Sequence, residues 1–179
     1  HMVLSRRTSP HATTLFEVDM STVRQLKDWL SPQLREHHQV LLTYMPFVVQ
    51  AVARALRQHP ALNASVEGKN VRFHYAINVG IAVALDHGLL VPVIRDADKK
   101  DILDLAHSLN SLAQKARSKG LVPEDVRGGT FTITNPGVFG SLLGMPIIHQ
   151  PQVAILCLGA VQKRPVVLAG TDAITVRSM

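Results

Sequence analysis

The stretch GGTFTITNPGVFGSLLGMPIIHQPQVAILCLGAV, residues 128–161, holds the side chains best placed for chemistry. Read as a strand, TFTIT puts Phe131 and Ile133 on one face and Thr130, Thr132 and Thr134 on the other, because successive side chains alternate. The chain then breaks at Asn-Pro-Gly, so Thr134 stands at a strand mouth. A hydroxyl there has two readings. Threonines favour strands, and the row could simply face water or a neighbouring subunit. Alternatively, Thr134 aims a hydrogen-bond donor into a cleft, where it would stabilise a developing oxyanion. Residue types alone leave both open.

The other reactive side chains point to less. Cys157, the single cysteine, sits inside VAILCLGAV and reads as a small buried thiol, not a nucleophile. It excludes an internal disulfide framework and a Cys-rich zinc site. Among nine histidines the close pair His37 and His38 are adjacent and would point in different directions. His59, His74, His107 and His149 read as helix-end, strand or loop residues, while His11, just before an expected strand, is of more interest. Asp96, Asp98, Asp101 and Asp104 resemble a metal-binding run, but Arg95, Lys99 and Lys100 interleave with them at a helix start. There the acids offset the helix dipole, so capping is the reading and no metal site is expected.

The elements that must position these residues follow from periodicity. ATTLFEVDMS alternates as a strand, and Ser21 can cap the helix opening at TVRQLKDWL, with Pro32 limiting its unbroken length. YMPFVVQAVARALRQHP predicts a core helix with Val48, Ala51, Val52, Ala55 and Leu56 on one stripe, Pro46 in its first turn and Pro60 closing it. ASVEGKNVRFHY predicts a hairpin around Gly68; AINVGIAVAL and LLVPVI are apolar enough to be strands of one central sheet. Asp98 precedes a helix carrying Ile102, Leu105, Leu109 and Leu112, ended by Gly120. Strands return at residues 130–134, 153–161, 165–168 and 173–176. The mixture is α/β, helices packed on a sheet, without the βαβα alternation of a doubly wound fold.

Composition bounds the function. The chain has 179 residues, 46% hydrophobic and 18% charged, which suits one globular domain. No apolar run approaches the about 20 residues that span a bilayer, so no membrane partner is expected. The single thiol fits a reducing compartment, the cytoplasm or alternatively the mitochondrial matrix. A net charge of +6 is scattered and aromatic residues make up 4%, which disfavours nucleic acid. Phosphate-loop, metalloprotease and serine-elbow motifs are absent. His1 and Met2 read as an expression scar, leaving residues 3–179 as the domain.

Three ordered stretches carry a resemblance over nearly the whole chain: SPHATTLFEVDMS, INVGIAVALDHGLLVPVIRDADKKDILDLA, and GGTFTITNPGVFGSLLGMPIIHQPQVAIL. The last closely resembles the signature segment of the catalytic domain of dihydrolipoamide acyltransferases, the core component of 2-oxo acid dehydrogenase complexes. The resemblance implies a chloramphenicol acetyltransferase-like two-layer fold, a mixed sheet with flanking helices. It also implies homotrimers with active sites at subunit interfaces, built into larger cores, and acyl transfer between a dihydrolipoyl group, carried by a separate lipoyl domain, and coenzyme A. The partners implied are the lipoyl domain and the 2-oxo acid dehydrogenase and dihydrolipoamide dehydrogenase components. By position, Thr134 matches the family's oxyanion donor; Asn135, Gly159 and Val161 match positions lining the coenzyme A channel.

One departure stands out. The family's general base lies in a C-terminal His-x-x-x-Asp-Gly motif, and none of the nine histidines here has an Asp four residues later. The sequence ends at ITVRSM, about where the next family strand would carry that motif, so the domain reads as incomplete at its C-terminus and curtailed in its N-terminal arm and first helix. Two functions from different classes follow: an acyltransferase domain inactive by itself, or a non-catalytic scaffold or self-assembly module. GVFGSLL resembles succinyltransferases, whereas NPG and LDHGL resemble acyltransferases for pyruvate or branched-chain substrates, so the acyl group stays open.

Overall fold

The computed structural model describes residues 2–85 and 88–179. His1 of the expected scar, and Asp86 and His87 of the LDHGL stretch, lie outside the described residues. In chain order the elements are α1 (Met2–Thr8), α2 (Ser21–His38), α3 (Met45–Gln58), β1 (Ala64–Glu67), β2 (Asn70–Phe73), β3 (Val79–Ile81), β4 (Val83–Leu85) and β5 (Gly88–Leu90). β6 (Val93–Ile94), α4 (Ile102–Arg117), β7 (Phe131–Thr134), β8 (Ile155–Cys157), β9 (Lys163–Val167) and β10 (Ile174–Ser178) complete them.

A four-stranded sheet of order β6-β3-β7-β8 forms the centre. β3 runs antiparallel to β6 and parallel to β7, and β7 runs parallel to β8, so the sheet is mixed as expected. Phe131 and Ile133 of β7 join Val79 and Ile81 of β3 against Val49, Ala53 and Leu56 of α3 and Leu105 of α4. Fully burying one such aliphatic side chain contributes about 1.5–3 kcal/mol, so this face holds the helix layer to the sheet. At Gly80 the backbone must come close: a Cβ would lie 2.7 Å from Val91 Cγ1.

Several elements differ from the sequence reading, each for a physical reason. The buried stripe of α3 is Pro46, Val49, Ala53 and Leu56, with Val48 and Val52 flanking it and Ala51 and Ala55 exposed. Small apolar residues on both sides of the stripe left its rotation undetermined. α2 runs 18 residues through Pro32, because that helix buries none of its residues and can tolerate a missing N–H on its solvent side. Ser21 does not cap α2; its Oγ accepts from Ser178 N at 3.0 Å, while Asp19 Oδ1 accepts from Ser21 N at 2.8 Å. Residues 12–20 form no strand, and Leu15, Phe16 and Val18 are exposed. Alternation supplies a face but not a partner strand. Their end is fixed where Met20 N–H donates to Ser178 O at 2.6 Å, joining the β9–β10 hairpin to α2.

The hairpin around Gly68, at φ 63°, is formed by β1 and β2 as expected. LLVPVI divides: β6 enters the central sheet, whereas β5 pairs with β4 in a separate exposed hairpin. The cap of α4 is Asp101, whose Oδ1 accepts from Asp104 N at 2.8 Å; Asp98 pairs instead with Arg57. Gly120 lies just past the helix end, its N–H reaching Lys115 O at 2.8 Å. Replacing the capping side chain removes one satisfied helix-terminal N–H, so Asp101→Ala should lower stability by about 1 kcal/mol and Asp101→Asn by much less. Urea denaturation of the two variants checks this; equal losses would show that the cap bond contributes nothing.

Candidate active site

Thr130 and Thr132 of the threonine row are buried, so that face of β7 is covered there and does not face water, while Thr134 is half-buried. Thr130 Oγ1 donates to Asn78 O at 3.2 Å and accepts from Asn78 N at 3.1 Å. Thr132 Oγ1 donates to Gln152 Oε1 at 2.6 Å, and Gln152 Nε2 donates to Gly129 O at 3.0 Å. Both hydroxyls are committed. Thr134, the third of the row, is half-buried at the strand end; its carbonyl accepts from Leu158 N at 2.9 Å, and its hydroxyl takes no part in these side-chain bonds. It is the one hydroxyl of the row with a donor to spare.

Asn135 turns the chain out of the strand, with its Nδ2 3.7 Å from Met45 Sδ, a weak acceptor. The tight turn Pro136–Phe139 then crosses the segment after β8. The crossing needs two glycines: a Cβ on Gly137 would lie 2.4 Å from Gly159 C, and one on Gly159 would lie 2.1 Å from Leu142 O. Gly159 therefore holds the loop after Thr134 against β8, and Val161 lies half-buried two residues on. Gly137, Gln152 and Met45 were not singled out from the sequence. Gln152 left a faint signal, a polar side chain directly before an apolar run; Gly137 and Met45 left none, because their roles come from segments distant in the chain.

Cys157 is the register partner of Thr134 on β8. Burial pushes its thiol pKa up, so at neutral pH it is a protonated thiol and not a nucleophile. Among the described residues no group of three or more His, Cys, Asp or Glu could hold a metal ion. The acidic run disperses: Asp96 pairs with Lys99 at 3.0 Å, Asp98 with Arg57, and Asp101 caps α4. Four histidines among the described residues make structural contacts. His11 Nε2 accepts from Ile148 N, His74 Nε2 meets Ser65 Oγ at 2.9 Å, and the rings of His38 and His107 stand edge to face.

The whole chain, residues 1–179, matches the family model described as 2-oxoacid dehydrogenases acyltransferase (catalytic domain). The chain belongs to this family. It is 45% identical over 175 residues to the dihydrolipoyllysine-residue acetyltransferase component of the pyruvate dehydrogenase complex of Corynebacterium glutamicum, covering 96% of this chain and 26% of that protein. It is 42% identical over 158 residues to the dihydrolipoyllysine-residue succinyltransferase component of the 2-oxoglutarate dehydrogenase complex of Haemophilus influenzae, covering 88% of this chain and 39% of that one. The chain thus spans less than half the length of these relatives. Among solved structures it superposes on a probable dihydrolipoamide acetyltransferase from Listeria monocytogenes with TM-score 0.95 and 39% identity, over 99% of this chain and 75% of that one. It also superposes on the dihydrolipoamide acetyltransferase of Azotobacter vinelandii with TM-score 0.93 and 32% identity, over 98% and 72%. That structure was determined to investigate a serine, a histidine and an asparagine in the catalytic mechanism. The acyltransferase catalytic-domain fold expected from the sequence is therefore the fold of this chain.

His149, in the loop that follows the glycine crossing, has its pKa lowered from 6.5, first by burial, which disfavours the imidazolium. The unfolded chain therefore takes up this proton first. The contribution of His149 to stability is complete above its ordinary value and is lost as the pH falls below it toward the lowered one. His149→Asn should flatten the dependence of the urea midpoint on pH between about pH 7.5 and pH 5; an unchanged slope would assign the acid sensitivity to other groups.

Proposed function

We propose that this domain catalyses acyl transfer between a dihydrolipoyl thiol and coenzyme A, with Thr134 as the oxyanion donor. The observation that carries the reading is the division of labour along β7: Thr130 and Thr132 are spent inside the protein, and Thr134, at the mouth, is not. Family membership supports the chemistry, and the Azotobacter vinelandii relative, studied for the part a serine plays in its mechanism, supports a hydroxyl in that role.

In the reaction the attacking thiol loses its proton to a general base, and its sulfur forms a bond to the thioester carbonyl carbon. The carbonyl π electrons move onto oxygen, where the Thr134 hydroxyl donates to the developing charge. Collapse of the tetrahedral species breaks the original carbon–sulfur bond, and the leaving thiolate recovers the proton. A thiol of pKa about 8.5 is mostly protonated at neutral pH, so the base is needed. With no His-x-x-x-Asp-Gly in the sequence, the base is assigned to a histidine outside residues 1–179. Asn135, Gly159 and Val161 are assigned to the coenzyme A channel; Gly159 holds the loop that would form one wall.

Assembly belongs to the same proposal. Leu15, Phe16, Val138, Phe139, Met145 and Ile174 are each exposed, apolar side chains available for contacts between copies. A homotrimer inside a larger core, served by a lipoyl domain and the two dehydrogenase components, accommodates it. A relative at TM-score 0.93 forms the cubic core of a pyruvate dehydrogenase multienzyme complex. No described helix is long and apolar enough to cross a membrane, and a cytoplasmic setting is part of the proposal. The acyl group stays open among acetyl, succinyl and branched-chain; the acetyltransferase and succinyltransferase relatives match at 45% and 42% identity.

In a version of the protein extended through a His-x-x-x-Asp-Gly segment, Thr134→Ala should lower turnover by about 10² to 10³, or roughly 2.7–4 kcal/mol of transition-state stabilisation, with coenzyme A binding little changed. Near-normal turnover would remove Thr134 from the mechanism. Residues 1–179 alone should form acyl-coenzyme A about 10² to 10⁴ more slowly than the extended protein, the range expected for a missing general base. Equal rates would place the base among the histidines of this chain. No activity in either would favour the second reading, a non-catalytic scaffold.

A further inference from the structure

The N-terminal segment makes a polar grip on one residue far away in sequence. Ser5, fully buried, donates its Oγ–H to Ile148 O at 2.6 Å. His11 Nε2 accepts from Ile148 N at 3.0 Å. Both main-chain groups of Ile148, a half-buried residue, are therefore held by side chains of residues 2–11. A third contact adds to the grip, with Gln150 Nε2 donating to Ser9 Oγ.

The partners fix the chemistry of His11. Its Nδ1 lies 2.8 Å from Ser9 O, a carbonyl that can only accept, so Nδ1 carries the proton and Nε2 presents the lone pair to the Ile148 amide. The ring works as a two-ended bridge, donor at one end and acceptor at the other.

The gripped residue closes the segment that runs past the strand mouth. At its start that segment is tied to the chain just after β8 by Ala160 N to Ser141 O at 2.8 Å and by the contact of Gly159 with Leu142. In its middle, Gly144 packs so closely on Cys157 that a Cβ would lie 3.1 Å from the sulfur, and Cys157 is the strand partner of Thr134. Beyond Ile148 the chain reaches Gln152, which accepts from Thr132. Residues 141–152 are thus clamped at their start by the segment after β8, and at their end by the N-terminal segment and, through Gln152, by β7.

We propose that His11 is a positioning residue: residues 2–11 act as a strap that, through His11 and Ser5, sets the place of residues 141–150 beside Thr134. The strap stands on geometry alone; its consequence for turnover rests on the acyl-transfer reading above. His11→Phe keeps a ring of similar size and removes both polar atoms. His11→Gln restores a donor and an acceptor on one side chain.

The test is hydrogen–deuterium exchange of residues 1–179, read at Ile148 and its neighbours, together with steady-state kinetics of the extended protein. In His11→Phe, exchange across residues 144–150 should rise about fivefold or more, the effect of losing one hydrogen bond from a local closing equilibrium, while amides of α3 stay protected. His11→Gln should return exchange to within about twofold of the parent. In the extended protein, turnover should fall in His11→Phe and recover in His11→Gln, with the KM for coenzyme A unchanged. Unaltered exchange at Ile148 in His11→Phe would overturn the strap. Faster exchange with unchanged turnover would overturn the positioning role. If the extended parent shows no transfer, the acyl-transfer reading fails and the exchange result still decides the strap; loss of α3 protection in His11→Phe, with no rescue by His11→Gln, would make His11 a general stability residue and overturn it as well.

Discussion

The structure turns on the requirement that a strand buried on both faces satisfy all its polar groups from within. β7 is hydrogen-bonded to β3 on one side and β8 on the other, with Ile133 wholly inaccessible against the helix layer. Each hydroxyl on the opposite face must find a partner, since an unpaired buried donor costs about 1–3 kcal/mol. Thr130 finds the backbone of Asn78, and Thr132 finds Gln152. Only where the strand leaves the core does the demand relax, and there Thr134 carries a hydroxyl that the fold does not consume. A polar group that folding does not require is one that chemistry can use.

The same demand shapes what surrounds the mouth. Gln152 satisfies Thr132 with its oxygen and Gly129 with its nitrogen, so a single side chain joins the return of the loop to the start of the strand that precedes it. Two glycines let the outgoing and returning chains pass at main-chain distance. The loop between them leaves Val138, Phe139, Leu142, Leu143 and Met145 exposed. It is firmly held where it touches the sheet and apolar where it does not. This arrangement suits a wall that a second copy of the chain could complete.

Charges play a smaller part. The ion pairs among the described residues are mostly exposed at one or both partners, the setting in which such pairs contribute little. Asp98 is the exception in burial: it is held by Arg57 and has a second oxygen, Oδ1, without a hydrogen-bond partner. Its role is to fasten the turn before α4 to α3. That function is structural, and it is Asp101, not Asp98, that caps α4.

Much of this was legible in the residues themselves. Periodicity placed α3, α4, the hairpin at Gly68 and the strand ending at Thr134, because their apolar spacing reports one local geometry whatever the rest of the chain does. The quoted motifs gave the family and the mixed two-layer fold. The sequence did not determine the partners. It could not tell whether the threonines face water or core, since alternation assigns residues to a face without saying what covers it. It could not show that residues 12–20 would form no strand, that Asp101 and not Asp98 would cap α4, or that His11 would grip Ile148. Each of those depends on a segment tens of residues away, and only the folded chain brings the two together. Local pattern chose the elements; the need to pair every buried polar group decided which of their side chains were left free to act.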